Sequence, residues 1–557
     1  MNAPAQPILF VNWFKRNEWS LVLVIALLAF VFGLTGLHQF LAATGKSTTL
    51  VDMIYFTVRL FLFSYDLEGD GIPYASSPPL LQVARFLAPA TVFYAVIKGF
   101  MLAVSQQVNV WRLRRWRGHS VVCGVGKRGR LAALNLRAEG RQVVVIEKDP
   151  TNEAIGELRT AGVRVIVGSA TDSVCQEQAR METAALVVAL TTAEESNLEV
   201  ALAASRRSNG LPVEIQAHAS RRFAEEFERQ PPFDRIRQGV HARFFDHDAA
   251  AARLLLQEFA TELVPALVQT PRPPRLLLAG DGTLLPELLS AAVVQCQYAF
   301  ADVPTLVVAT TEGDMVRHRF PSQHPQLAQV AEVKFVELTP PVLARLELDT
   351  LAGGAGFDLA FVACRNDVDT LSLSRHLIWQ ETGRVGRLVA CLRPSGNVMR
   401  LLATKQPIEG VEIRDLVELG CRADVLFHGE LDRKAKMIHE DYVKKQTAAG
   451  ATEATNPALV GWEDLSESLR QSNRAQADHQ SIKLRTLTVS QTPETVEALA
   501  EAEHRRWMAE RILAGWRYGE QRDNARKRHP NLKPYAQLSE AEKQKDCNTV
   551  LAVMERT

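Results

Sequence analysis

Three glycines, Gly124, Gly126 and Gly129, stand in G-x-G-x-x-G spacing directly after the apolar run SVVC. A helix-period stretch follows, then a second apolar run, VVVIE, which ends at Glu147. Each glycine has a separate task in such an arrangement: Gly124 permits a tight turn, Gly126 lets main chain approach a pyrophosphate, and Gly129 allows the next helix to pack closely on the strand. Unpaired amides at that helix start face phosphate oxygens, so Val125 and Lys127 join the candidates. Glu147, nearly twenty positions beyond the turn and followed by Lys148, is placed to accept hydrogen bonds from ribose hydroxyls, which favours an unphosphorylated ribose. The bland alternative is a glycine turn that serves packing alone.

Other chemistries find little support. Lys plus Arg total 64 against 63 Asp plus Glu, so no global field draws the chain to nucleic acid. The seven cysteines are odd in number and form no C-x-x-C pair, which points to reduced thiols and to no metal site. Nothing near the strands forms a recognisable acid/base pair, so no enzyme is expected, although an oxidoreductase stays open.

The elements that must carry the glycine turn alternate strand and helix. VRVIVGSATD, ALVVALTTAEESNLEVALAA and VEIQAHA supply third, fourth and fifth strands, which predicts a doubly wound Rossmann-like unit over 118–265. PPRLLLAGDGTLLPELLSAAVVQ opens a second over 272–430, with Gly280 and Gly282 but Leu285 at the third glycine position. A polar linker then leads to a small, mainly helical segment, 431–557.

Residues 1–18 are expected to be cytoplasmic, and 19–117 to lie in a membrane. Trp19 to Ala43 carries no charge and is long enough for a hydrocarbon core of roughly 30 Å. Leu80 to Val104 is weaker, with Arg85 and Lys98 inside it. Lys15 and Arg16 before the first run, and Arg112, Arg114, Arg115 and Arg117 after the second, place both termini in the cytoplasm of an inner (plasma) membrane protein in contact with lipid. Between the runs, a shorter apolar stretch ahead of Asp66, Glu68 and Asp70 suits a re-entrant segment.

Helix, re-entrant segment, helix and Rossmann unit is the order found in two-helix potassium channels, which the segment Asp52 to Val58 resembles. Where that family has its threonine-valine-glycine-tyrosine-glycine filter, this chain has Leu62, Phe63, Ser64, Tyr65, Asp66 and Leu67. Candidate pore residues are Arg59, Ser64, Tyr65, Asp66 and Lys98. Residues from about His119 to Ala260 resemble the regulator-of-potassium-conductance domain of Trk-type proteins. That resemblance implies NAD or another adenine nucleotide (ATP or ADP) beside Gly168, Ala170, Thr171 and Thr191, with Asn197 marking the helix after the fourth strand. Ser169 stands where the family has an acid. It also implies a homo-oligomer, a tetramer being the family's arrangement.

From about Asp432 the blocks GWEDLSESLRQSNRAQADHQSIKLR, LAEAEHRRWMAERILAGWRYGEQRD and HPNLKPYAQLSEAEKQKD resemble the ryanodine-receptor repeat module. This implies a second ligand input, for which Asn473, Arg474, His479, Lys483, Arg506, Trp516 and Tyr518 are the candidates. The dense run Glu503, His504, Arg505 and Arg506 reads either as a phosphate-recognition group or as a solvated, salt-bridged face. The functional expectation is a nucleotide-gated channel or pore. Its rival is a membrane-anchored regulatory subunit of a potassium transporter that does not itself conduct.

Overall fold

The computed structural model describes residues 18–45, 49–62, 77–113, 116–207, 212–220, 240–311, 320–338, 356–380, 384–393, 409–421, 429–454 and 456–554. It divides into two compact units, Met1–Arg115 and Trp116–Thr557.

The first unit is helical: α1 (Glu18–Thr44), α2 (Leu50–Phe61) and α3 (Pro79–Leu113). Trp19–Thr44 and Pro79–Phe100 are long and apolar enough to cross a membrane, with mean hydropathies of 2.6 and 1.6. The twelve residues of α2 span only about 18 Å, too little to cross. Thr49 and Asp52 cap its start reciprocally, each side chain accepting the other's backbone amide. Small residues let the helices meet: a Cβ on Gly36 would lie 2.5 Å from the Leu81 amide, and one on Gly33 would lie 2.9 Å from Thr57. Leu23, Leu27, Phe86 and Phe93 are 60 to 72% exposed, an apolar surface that water does not tolerate in a soluble bundle. Of the pore candidates, Arg59 lies 5.9 Å from the Tyr55 ring centre and Lys98 lies 6.0 Å from that of Tyr94. Ser64, Tyr65 and Asp66 lie outside the described residues.

The second unit opens with a six-stranded parallel sheet in the order β3-β2-β1-β4-β5-β6. Its strands are β1 (Ser120–Cys123), β2 (Val143–Glu147), β3 (Arg164–Val167), β4 (Leu186–Ala189), β5 (Val213–His218) and β6 (Val240–Phe245). Between them run α4 (Lys127–Ala138), α5 (Ala154–Thr160), α6 (Ser173–Gln178) and α7 (Glu194–Arg207). β1 and β2 are buried on both faces, as a sheet covered by helices requires.

Two helices, α8 (His247–Glu262) and α9 (Val264–Gln269), lead to a second parallel sheet of order β12-β11-β10-β7-β8-β9. It contains β7 (Arg275–Ala279), β8 (Thr305–Thr310), β9 (Glu332–Glu337), β10 (Phe357–Val362), β11 (Val385–Leu392) and β12 (Val411–Asp415), with α10 (Leu284–Gln295) and α11 (Asp367–Gln380) among them. Counted from its own first strand, this sheet repeats the order of the first. The short α12 (Leu416–Gly420) then returns to the first lobe, where Val417 and Cys421 complete the core formed by Val122, Leu136 and Val145.

The remaining helices are α13 (Glu430–Ala448), α14 (Glu467–Asp478), α15 (Gln480–Val489), α16 (Pro493–Leu513) and α17 (Glu540–Met554). Ala435, Ile438, Trp462, Leu465 and Ala477 form a small apolar cluster of their own. Ile482, Met508, Ala509, Ile512 and Leu532 share one apolar cluster with α8, α10 and β7.

Candidate functional site

The switch point of the first sheet lies between β1 and β4, where strand order reverses and a crevice opens at the carboxyl ends. Gly124 leaves β1 at φ +87°, with its Cβ position 3.0 Å from the Leu190 carbonyl, so only glycine makes this turn without strain. A Cβ on Gly129 would lie 1.9 Å from the Gly124 carbonyl, which draws α4 tight against the turn. Gly126, at φ −67°, is the opposite case, because nothing lies within 4 Å of its Cβ position. That open space fronts the start of α4, which has no side-chain cap and no acidic residue in its first turn but carries Lys127 and Arg128. An anion at this point meets unpaired amides, the positive end of the helix and Lys127, whereas Arg128 is engaged with Asp248 and Asp246.

Glu147 is 9% exposed, and its carboxylate accepts from the Val125 amide at 2.6 Å and the Asp149 amide at 2.9 Å. These two bonds aim it at the crevice edge and leave lone pairs for ribose hydroxyls. Asn152, absent from the sequence-derived set, steadies the same turn by donating to the Val125 carbonyl at 3.0 Å. Lys148 is exposed. Gly168 follows β3 at φ +156° with its Cβ position 2.4 Å from Cys175 Sγ, Ala170 is buried, and Thr171 Oγ1 lies 2.9 Å from Ser169 Oγ. Thr191 closes the far side of the crevice, its amide and hydroxyl both donating to the Asn197 side chain at 2.8 Å. Asn197 is fully buried and also donates to the His218 carbonyl, so it ties β4 to β5. The open cradle, bare helix start and ribose-reaching carboxylate fit an adenine nucleotide held by Gly124, Gly126, the α4 amides and Glu147.

The corresponding point of the second sheet is shut. A Cβ on Gly280 would lie 2.2 Å from the Ala363 carbonyl, and the Gly282 amide donates to that same carbonyl at 2.9 Å. The start of α10 is occupied from within the protein: Thr283 donates to Asp248 at 2.5 Å, and Arg393 donates to both oxygens of Asp248 at 2.7 and 2.8 Å. Burial alone would raise the Asp248 carboxyl, but His247, Arg393 and Thr283 outweigh it and hold the group ionised. Lys127 Nζ in turn donates to the Arg393 carbonyl at 2.6 Å, which links the first cradle to the closed one.

The second-ligand candidates separate into three groups. His479, Lys483 and Arg506 converge on Glu503 in the interior: Lys483 Nζ lies 2.5 Å from Glu503, Arg506 donates at 2.9 to 3.1 Å, and His479 Nδ1 lies 3.6 Å away. Their exposures of 0 to 3% contradict a solvated face for this run. Burial raises the Glu503 carboxyl, yet Arg506 and Lys483 prevail and hold it well below its ordinary range. His504 and Arg505 are structural too: the ring bonds the Lys533 carbonyl, and the guanidinium donates to the Tyr298 and Ala301 carbonyls of the second lobe. Asn473 donates to Leu469 of its own helix, while Trp516 stacks under Arg511 and Tyr518 is exposed.

Only Arg474 of that set lines a cavity of about 180 Å³ bounded by β6, α8, α10, α13, α14 and α16. It bonds Asp432 at 2.7 and 2.8 Å, and Glu467, with Trp462 beside it. Arg253, opposite, bonds Asp478 at 2.6 and 2.8 Å. Gln295, 3% exposed, also lines the space. Sequence reading missed this cavity because its walls come from segments more than 200 positions apart.

Fold and site together define a doubly wound, Rossmann-type unit with an open cradle in its first lobe and the corresponding point closed in its second. Within it, residues 120–236 match the family model of the TrkA-N domain, and residues 478–556 match that of the RyR domain. No curated protein matches the chain. Among solved structures, GsuK bound to ADP is 16% identical over 75% of this chain and 99% of that one, with a TM-score of 0.39. The GsuK channel bound to NAD is 14% identical over 76% and 86%, with a TM-score of 0.39. The TrkA-N domain of the inner membrane protein ybaL from Escherichia coli is 23% identical over 26% and 97%, with a TM-score of 0.21.

Proposed function

We propose that the chain is a homotetrameric ion channel or pore of the inner (plasma) membrane, gated from the cytoplasm by NAD or another adenine nucleotide in the first cradle. The observation that carries this reading is the open space at Gly126 before an uncapped, basic helix start, in a chain that also bears two helices able to span a bilayer. Bound nucleotide supplies two negative phosphates and a ribose. Lys127 and the α4 amides would neutralise the former and Glu147 would accept from the latter. Phosphate competes for Lys127, which otherwise holds the Arg393 carbonyl, so occupancy biases the packing of one lobe on the other. No catalytic step enters.

The rival is a non-conducting regulatory subunit of a potassium transporter, favoured by the absence of glycine between Leu62 and Leu67. Purified protein in liposomes separates the two. Ion flux that responds to ADP or NAD, and is lost in Glu147→Lys together with calorimetric nucleotide binding, is the expected result. Binding without flux favours the rival, and unchanged binding in Glu147→Lys rejects the assigned site.

The second input is proposed for the cavity at Arg474 rather than for the Glu503 cluster, whose members are already engaged with one another. A ligand there is expected to shift Trp462 emission, and Trp462→Phe to remove that signal. Candidate ligands that leave the emission unmoved while altering flux would place the input elsewhere.

A further inference from the structure

The first lobe holds a second cluster of functional groups outside the nucleotide cradle. His218 is the last residue of β5, and Asp246 follows the last residue of β6. These strands are parallel neighbours with His218 in register with Phe245, so the pairing itself brings the two side chains to one sheet end. His247 begins α8, and its ring centre lies 4.5 Å from that of His218. One ligand atom from each of His218, Asp246 and His247 lies within 4.8 Å of the other two.

The state of His247 is the second observation. It is 3% exposed, and its Nδ1 has no hydrogen-bond partner. Its Nε2 is 3.1 Å from Asp248 Oδ1, at ion-pair distance but off the direction of a hydrogen bond. A buried ring nitrogen without a partner is destabilising, and a coordinate bond would offset that. Asp246 uses Oδ1 to accept the Asp248 and Ala249 amides, at 2.9 and 3.2 Å, which fixes its carboxylate while the other oxygen takes no part in that cap.

We propose that His218, Asp246 and His247 bind a divalent transition metal of the Zn²⁺ type, with a fourth position left for an exogenous ligand. Two imidazoles with one carboxylate select such an ion over Ca²⁺ or Mg²⁺, which take oxygen ligands. In a tetrahedral site, metal–ligand bonds of roughly 2.0–2.2 Å put two ligand atoms about 3.3–3.6 Å apart, so closure from within 4.8 Å needs side-chain shifts of up to about 1.5 Å. The charges around the cluster are balanced: Arg128 and Arg393 face Asp246 and Asp248. Arg128 is the second residue of α4, so the fourth position lies in the field of a guanidinium from the cradle helix and favours an anion such as hydroxide or a phosphate oxygen. Metal binding would pin the start of α8, which packs into the second lobe, to β5 of the first. This reading does not depend on the channel or on nucleotide binding.

The test uses full-length protein in detergent, stripped with EDTA, reloaded with Zn²⁺ or Co²⁺ and freed of excess metal. Wild type is expected to retain one metal per chain and to show visible Co²⁺ absorption without the near-ultraviolet thiolate bands that the free cysteines would give. His218→Gln and Asp246→Asn, which keep the size of each group and the helix cap, are expected to weaken retention at least tenfold. Zn²⁺ is expected to raise the melting temperature of wild type and not of Asp246→Asn. Wild type that retains no metal, equal retention in both variants, or a thiolate spectrum overturns the proposal. A variant that fails to fold leaves the wild-type stoichiometry and spectrum as the deciding readings.

Discussion

Glu503→Ala destabilises the chain by about 3–5 kcal/mol, the usual cost of removing one member of a buried charge cluster. Lys483 and Arg506, 0 and 3% exposed, lose their shared carboxylate and are left in a medium that cannot solvate them. Replacing Lys483 and Glu503 together by methionine and leucine recovers part of the loss, because one of the two stranded cations is gone while Arg506 still lacks this carboxylate. The effect has a defined pH dependence. Glu503 is held well below its ordinary value of 4.5, so its stabilisation is complete above that pH and is lost as pH falls toward the folded-state value. Wild type and variant therefore differ by a constant amount near neutrality and converge in acid. Thermal or urea unfolding at several pH values checks this, and a neutral-pH difference under 1 kcal/mol would show that the cluster is not held as described.

The second large effect distinguishes two glycines of one motif. Gly129→Ala places a methyl group where the Gly124 carbonyl stands, 1.9 Å away, and backbone cannot give as a side-chain end can. Expected are a stability loss of about 1–3 kcal/mol from overpacking and a distorted turn. Nucleotide binding should fall at least tenfold, roughly 1.4 kcal/mol. Gly126→Ala meets nothing within 4 Å and has an ordinary φ, so its fold is unaffected while its methyl group projects into the space reserved for pyrophosphate. Loss of binding with unchanged melting at Gly126, beside loss of both at Gly129, is the result expected from calorimetry and thermal unfolding. Equal behaviour of the two would mean that the crevice is not where phosphate enters.

These predictions rest on different depths of information. The first cradle is a local structure: strand, turn, helix and acidic strand end lie within 30 positions, and the φ and contact demands on Gly124 and Gly129 follow from the motif itself. The spans from Trp19 and Pro79 are equally local, since apolar length is a property of the sequence. Two of the edge strands are less legible in the sequence. β6, VHARFF, and β12, VEIRD, each border a sheet and carry charged residues, which blurs the apolar pattern by which central strands are recognised.

By itself the sequence determined the kinds of element, the two doubly wound repeats, the anion-ready turn and the apolar helices, because each is set by residues near one another in the chain. Only the tertiary structure decided that the second cradle is closed by Ala363, that Arg393 and Asp248 occupy its helix start, and that Glu503 belongs to the interior. It also joined α15 and α16 to the second lobe in one core and brought His218 to Asp246 and His247. The physical reason is common to all of these: periodicity tells which face of an element is apolar, but not which distant carbonyl, carboxylate or imidazole the fold will press against it.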